Sequence, residues 1–252
     1  MTILQVMSRE WDASTYDRIA DPQARWGLAV LDRLKLDGDE RVLDAGAGSG
    51  RVTEALAERV PNGSVIALDG SAAMLSEARR RLERFGDRVE YVRADLTQPL
   101  PIDAPVDAIL STATFHWIPD HGPLFRHLAA VLRRGGQLVA QCGGKGNVAT
   151  LERVLGDMGL PAVERHFAGP QETAELLVAA GFVNVETWLS DEPTRFEPGA
   201  PFETFLDTVC LRVHVAELSP QDRHEFVRRV AKRMPEPVLD YVRLNILARQ
   251  AN

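Results

Sequence analysis

The residues able to do chemistry in this chain of 252 residues gather just after short apolar runs. The first group is Asp44-Ala-Gly46-Ala-Gly48-Ser-Gly50-Arg51. Glycines let a backbone turn sharply and meet a ligand with no side chain between. Placed between a strand and a helix, they form a cradle for a small molecule. A phosphate P-loop would need Lys and then Ser or Thr after its last glycine, and Arg51-Val52 stands there. The dinucleotide fingerprint needs glycine at position 51, which disfavours a nicotinamide-dependent oxidoreductase. Asp44 itself opposes a pyrophosphate, because like charges would face each other.

Asp69 follows the next apolar run. A carboxylate there can accept both hydroxyl hydrogens of a ribose, or it can cap the helix after it. Asp95, in Arg93-Ala-Asp95-Leu96, can accept from an exocyclic adenine amine, with Leu96 offering apolar surface and a backbone amide to the ring. Three acids after three successive runs suit an adenosine bearing positive charge. His116, beside Trp117, can act as a general base, which requires it within ~3 Å of the proton it takes, or it can wall a pocket; the wall is the reading we prefer. Arg195, Arg212, His214, Arg223 and His224 could form an anion-binding set, but such charges are more often a solvated helix face. Arg79-Arg-Arg81 reads as a solvated turn.

These positions need elements to hold them. Strands are expected at 41–45, 64–68, 89–93, 106–110 and 137–141, with a sixth at 183–188 and a closing one at 239–247. Helices are expected at 25–34, after 50, after Ser71, from Asp120 to Arg134 with Gly135-Gly136 as the stop, and from 170 to 180. Strands alternating with helices imply parallel strands in a doubly wound α/β sheet, with ligands at the carboxyl ends of the strands. After a Pro/Gly-rich joint, Phe202, Phe205, Leu206, Val209 and Val213 share one helical face, and Ser219-Pro220 opens a second helix. The expected division is N-terminal lid helices in 1–36, a core of 37–191 with 236–252, and a helical cap in 192–235.

Composition narrows the classes. Hydrophobic residues at 45% and charged residues at 26% describe a globular chain with enough material for a core. A net charge of -7 offers no overall basic footprint, so no nucleic-acid partner is expected. No run approaches the ~18 apolar residues of a membrane span, and no signal peptide is read at the start. Cys142 and Cys210 stand alone, without metal-ligand spacing. A cytoplasmic protein with no metal is expected; the oligomeric state is not legible.

The ordered motifs resemble those of the class I S-adenosylmethionine-dependent methyltransferases. The resemblance rests on Val42–Gly50, on Ala67-Leu-Asp69-Gly-Ser71-x-x-Met74-Leu75, on Ala94-Asp95-Leu96 and on Leu132-Arg-Arg-Gly-Gly-Gln-Leu138, and covers about residues 10–190. Ala113-Thr-Phe115-His-Trp117-Ile-Pro-Asp120-His121, with Trp11, Tyr16 and Arg25, is similar to the trans-aconitate group of small-carboxylate O-methyltransferases, where glutamine usually stands at the place of His116. The resemblance implies a mostly parallel seven-stranded sheet, S-adenosyl-L-methionine as cofactor and a small-molecule acceptor. It implies Gly46, Gly48 and Gly50 under the cofactor's methionine, Asp69 at the ribose, and Asp95 and Leu96 at the adenine. It extends the cofactor site to Tyr16, Arg25, Asp44, Ala47, Gly70, Met74, Ala94, Thr112 and Phe115. Trp11, His116, Trp117 and Trp188 would line the acceptor pocket. Carboxylate O-methylation is slightly favoured; C-, N- or hydroxyl-directed transfer and a non-catalytic cofactor-binding regulator are the alternatives.

Overall fold

A computed structural model describes residues 21–252. Trp11 and Tyr16, with most of the expected N-terminal lid, lie outside the described residues. Helix α1 (Asp21–Leu31) leads to β1 (Arg41–Ala45), α2 (Arg51–Arg59), β2 (Ser64–Asp69), α3 (Ala72–Leu82), β3 (Val89–Arg93) and β4 (Val106–Thr112). Then come α4 (His121–Val131), β5 (Leu132–Gly143), α5 (Ala149–Asp157), α6 (Pro170–Ala179) and β6 (Phe182–Asp191). After the short β7 (Thr194–Arg195) the chain forms α7 (Ala200–Phe205), α8 (Arg212–Val215) and α9 (Pro220–Arg233). It closes with β8 (Val238–Leu239) and β9 (Val242–Gln250).

Seven strands make one sheet in the order β3-β2-β1-β4-β5-β9-β6. The first five are parallel, and β9 runs antiparallel between β5 and β6. The apolar runs of β1 and β2 are buried along almost their whole length, as expected of strands covered by helices on both faces. One face packs under α4 and α6, through Phe125, Leu128 and Leu177. The other packs under α1, α2 and α3, through Leu31, Leu56, Ala78 and Leu82. A third cluster joins α5, α7 and α9, around Leu151, Phe205 and Val230, to Trp26 and Tyr241.

Several expected boundaries move, each for a local reason. Helix α4 stops at Val131, short of the diglycine, because Leu132 already pairs with Val106 and a bulge follows. Gly135 adopts a φ of 71° within β5, so the diglycine serves the strand's bend. The expected continuous helix after Pro201 is broken by a π-turn at Leu206–Cys210. A wider turn rotates the apolar face, so Leu211 and Val215 are buried where Val209 and Val213 are only half-buried. The closing strand begins at Val242; Val238 and Leu239 pair instead with β7. Arg79, Arg80 and Arg81 form the last turn of α3; Arg80 pairs with Glu77, Arg81 donates to the Ser49 carbonyl, and Arg79 lies over Tyr91.

Phe205 is 1% exposed, with its ring centroid 4.4 Å from that of Phe196. Phe205→Ala should cost about 3–5 kcal/mol, seen as a lower midpoint in urea-induced unfolding; a shift below 1 kcal/mol would mean that this helical segment does not share the cooperative core.

Candidate functional site

Strand β1 delivers Asp44, 1% exposed, to the carboxyl edge of the sheet. The Thr53 hydroxyl donates to its Oδ2 at 2.7 Å. Oδ1 is buried and accepts from none of the described residues. Burial pushes this carboxyl up to about 7; the Thr53 hydrogen bond opposes the rise and the charge of Asp69 adds to it. The chain then turns through the glycines. The amides of Gly46 and Ala47 both donate to the Leu68 carbonyl, at 2.8 and 2.9 Å, tying the loop to β2. Gly46 has a φ of 90°, and a Cβ there would lie 2.1 Å from Thr114 Oγ1. Gly48, at φ 56°, faces open space, and its amide donates to Asp69 Oδ2 at 2.9 Å.

Asp69 Oδ1 accepts from the Ser71 amide at 2.8 Å. Burial raises its pKa, against the two amide bonds. Each oxygen keeps further acceptor capacity, so turn-building and ligand-binding are compatible. Ser71 is the helix cap proper, accepting from the Met74 amide. Asp95 is half-buried and accepts from the Thr97 amide; Leu96 beside it is 3% exposed. The Ala94 amide donates to the Asp69 carbonyl, so the turns after β2 and β3 are joined. Gly70 accepts from Arg93. Thr112 ends β4, and its carbonyl accepts from Thr114. Arg25 is exposed. Phe115 is fully buried, edge-on to Phe125.

A second group, basic and aromatic, follows β4 and β5. His116 is buried, and its Nδ1 accepts from the Gly143 amide at 3.3 Å. That bond assigns the ring proton to Nε2. Burial, then the positive charges of Arg243 and Arg165, then His121, hold its pKa well below the usual histidine range. Its ring packs against Trp117 at 5.1 Å and Phe167 at 5.9 Å. Arg243, on β9 opposite Gly143, is 3% exposed and stacks 4.9 Å over Trp26. Trp26 meets Tyr241 edge-on and donates to Glu192.

The structure therefore brings Asp44, the glycine loop, Asp69, Ala94 and Asp95 to the ends of β1, β2 and β3, and His116 with Trp117 to the end of β4. Trp188 lies elsewhere, on β6, four strands from β1 in the sheet order, under the guanidinium of Arg33 at 5.1 Å. The supposed cap anion set is dispersed into other contacts: Arg195 pairs with Glu236, Arg223 with Asp207, and His214 meets the Pro161 carbonyl. Arg165, Phe167, Tyr241 and Arg243 were not singled out in the sequence, where no motif marks them. Both cysteines are free, Cys142 buried and Cys210 half-buried, and loss of solvent around the sulfur pushes each thiol up to about 12. Among the described residues no cluster of His, Cys, Asp or Glu could hold a metal ion, and no helix is long and apolar enough to cross a membrane.

A methyltransferase domain family matches residues 42–136, the stretch from β1 to the diglycine. A trans-aconitate 2-methyltransferase of Methylobacterium radiotolerans is 30% identical over 231 residues, 86% of each chain. One from Azoarcus sp. is 40% identical over 131 residues, 52% of this chain and 50% of the relative, so that match spans half the relative's length. Among solved structures, the phosphoethanolamine N-methyltransferase 2 of Haemonchus contortus, in complex with phosphomonomethylethanolamine and S-adenosylhomocysteine, superposes with a TM-score of 0.64 at 18% identity, covering 95% of this chain and 57% of that one. At that identity the likeness concerns the fold.

Two buried groups give stability opposite pH dependences. Asp44 ionises at 3.8 when unfolded and at about 7 when folded, so its contribution is complete below 3.8 and is lost as pH rises to about 7. His116 is depressed well below 6.5, so its contribution is complete above 6.5, declines as pH falls below that value and is gone below the folded pKa. The melting temperature of Asp44→Asn relative to wild type should rise between pH 4 and 7 and then level off; a pH-independent difference would show that Asp44 ionises normally in the fold.

Proposed function

Because the chain belongs to the class I S-adenosylmethionine-dependent methyltransferases, we propose that it transfers the methyl group of S-adenosylmethionine to a carboxylate oxygen of a small-molecule acceptor. When bound, this cofactor supplies a methyl group already activated by a sulfonium. The residues suit it. The unpartnered Oδ1 of Asp44 is an acceptor for a positively charged group, and the open side of Gly48 admits close approach of a ligand. Asp69 would take the ribose hydroxyls, and Asp95 and Leu96 the adenine. The segments 37–191 and 236–252 would serve as the cofactor-binding core, and 192–235 as a cap over the acceptor.

The observation that carries the carboxylate reading is the state of His116. Its Nδ1 is occupied by the Gly143 amide, and its surroundings keep it neutral. Nε2 then carries a proton to offer and has no lone pair to receive one. A hydroxyl or carbon acceptor needs a base near the proton it loses. A carboxylate is already anionic and needs only donors and positive charge, which His116, Arg165 and Arg243 supply. The names of the relatives, trans-aconitate 2-methyltransferases, support the same class. The chain's remaining tasks are alignment and exclusion of water, and alignment can supply ~7–11 kcal/mol.

Formation of S-adenosylhomocysteine and of a methyl ester should be detected by mass spectrometry against a panel of small carboxylates. His116→Ala should raise the acceptor KM about tenfold, the worth of one hydrogen bond to a charged group, and leave kcat nearly intact from pH 6.5 to 9. A fall of about 10²–10⁴ in kcat would identify a base and overturn the carboxylate reading. Asp44→Asn should weaken S-adenosylmethionine binding by about 10–100-fold in calorimetric titration; unchanged affinity would remove Asp44 from the cofactor site.

A further inference from the structure

Arg165 lies in the connection between α5 and α6, outside every motif of the glycine loop. The connection is fastened to the acceptor side by the His166 amide, which donates to the His116 carbonyl at 2.9 Å. The Arg165 side chain is 10% exposed. Its guanidinium is held between two rings, 5.3 Å from that of Phe167 and 5.8 Å from that of Trp117. One terminal nitrogen, Nη2, is paired with Glu152 of α5. The Nε–H is buried and donates to none of the described residues.

A guanidinium offers its donors as a planar fork that matches a carboxylate edge-on. A buried donor left without an acceptor is costly, and here the unsatisfied donor belongs to a stacked cation beside the imidazole already assigned to the acceptor. The Arg165 charge acts on both His116, after β4, and Cys210, in the segment 192–235, and lowers the pKa of each. Glu152 is one-third exposed and can turn to water when another carboxylate arrives.

We propose that Arg165 is a specificity-determining residue that receives a second carboxylate of the acceptor, one not being methylated, in exchange for Glu152. The inference rests on the carboxylate reading above. It makes the site count charges: a polycarboxylate engages both His116 and Arg165, and a monocarboxylate only the former. A purely structural Arg165, bracing the connection through Trp117 and Phe167, would affect all acceptors alike.

The test is calorimetric titration of protein saturated with S-adenosylhomocysteine, using trans-aconitate and the monocarboxylate crotonate as probes. Arg165→Gln should lose about 10–100-fold in affinity for trans-aconitate with crotonate changed less than about threefold, and Glu152→Gln should tighten trans-aconitate selectively. Arg165→Lys, which keeps the charge and loses the fork, should fall between wild type and Arg165→Gln, and it serves if the glutamine variant does not fold. Equal losses for both probes, or none, overturn the inference. Methyl ester formed from carboxylates with no selective effect of Arg165 overturns it and spares the carboxylate reading. Selective binding with no ester from any carboxylate overturns the reading and spares Arg165 as a polycarboxylate ligand.

Discussion

Taking a carboxylate, an imidazolium or a guanidinium out of water costs several kcal/mol per ion even after the protein relaxes, and the carboxyl edge of this sheet does so repeatedly. Asp44 and Asp69 are withdrawn at β1 and β2, Arg243 at β9 and Arg165 beyond α5. The two signs are kept apart. The acids follow the first three strands, and the cations gather around His116 after β4 and β5. Backbone amides compensate Asp69, aromatic faces compensate the guanidiniums, and Arg165 takes its counter-ion from Glu152 of α5 and not from the acids that follow the first three strands.

The rest of the fold can be understood as what holds those two halves in register. The shared acceptor at Leu68 fixes the glycine loop to β2, and the bond from Ala94 to Asp69 fixes β3 to the same turn. On the basic side a buried polar ladder crosses three strands. Arg243 donates to Gln141, Gln141 and Arg33 donate to Asn245, and Asn245 donates to Ser190. Such a network is worth keeping only when its members are satisfied, and Asn245, with no exposed surface, is bonded through both ends of its amide. Trp188 belongs to this underlayer through Arg33, which explains why a tryptophan near the end of a strand can be remote from the loop at β1.

The acidic half was legible in the sequence because it is built from backbone. Gly46 needs a left-handed φ and the absence of a Cβ beside Thr114, and only glycine meets both requirements, so the residue type reports the conformation. Asp69 and Asp95 were legible by their place after apolar runs of strand length. Of the basic half, only His116 beside Trp117 left a trace in the sequence; Arg165, Phe167 and Arg243 left none. His116, the Arg165–Phe167 connection and Arg243 come from three distant stretches and meet only through the order of strands, with β9 inserted between β5 and β6. The π-turn at Leu206–Cys210 was hidden because the apolar spacing of Phe202, Phe205, Leu206, Val209 and Val213 fits an ordinary helix, and the rotation of the buried face is imposed by packing on α9 and α5. The diglycine at 135–136 carries the residue types of a helix stop, and pairing of Leu132 with Val106 overrides that signal.

The separation of charge bears on the chemistry proposed. In a reaction between a cation and an anion, charge is consumed as the bond forms, and water opposes that by solvating both reactants. A dry site favours it, but drying must not be so complete that the reactants cannot enter. An acidic wall admits the cation and a basic wall admits the anion, each as a counter-ion. The proposed role of Arg165 is this exchange in miniature, since Arg165 lies buried against rings while Glu152, partly in water, occupies part of its fork. An acceptor that takes the place of Glu152 brings its own charge into the apolar cleft and returns that of Glu152 to solvent, so the net charge buried at the cleft does not change when the site fills.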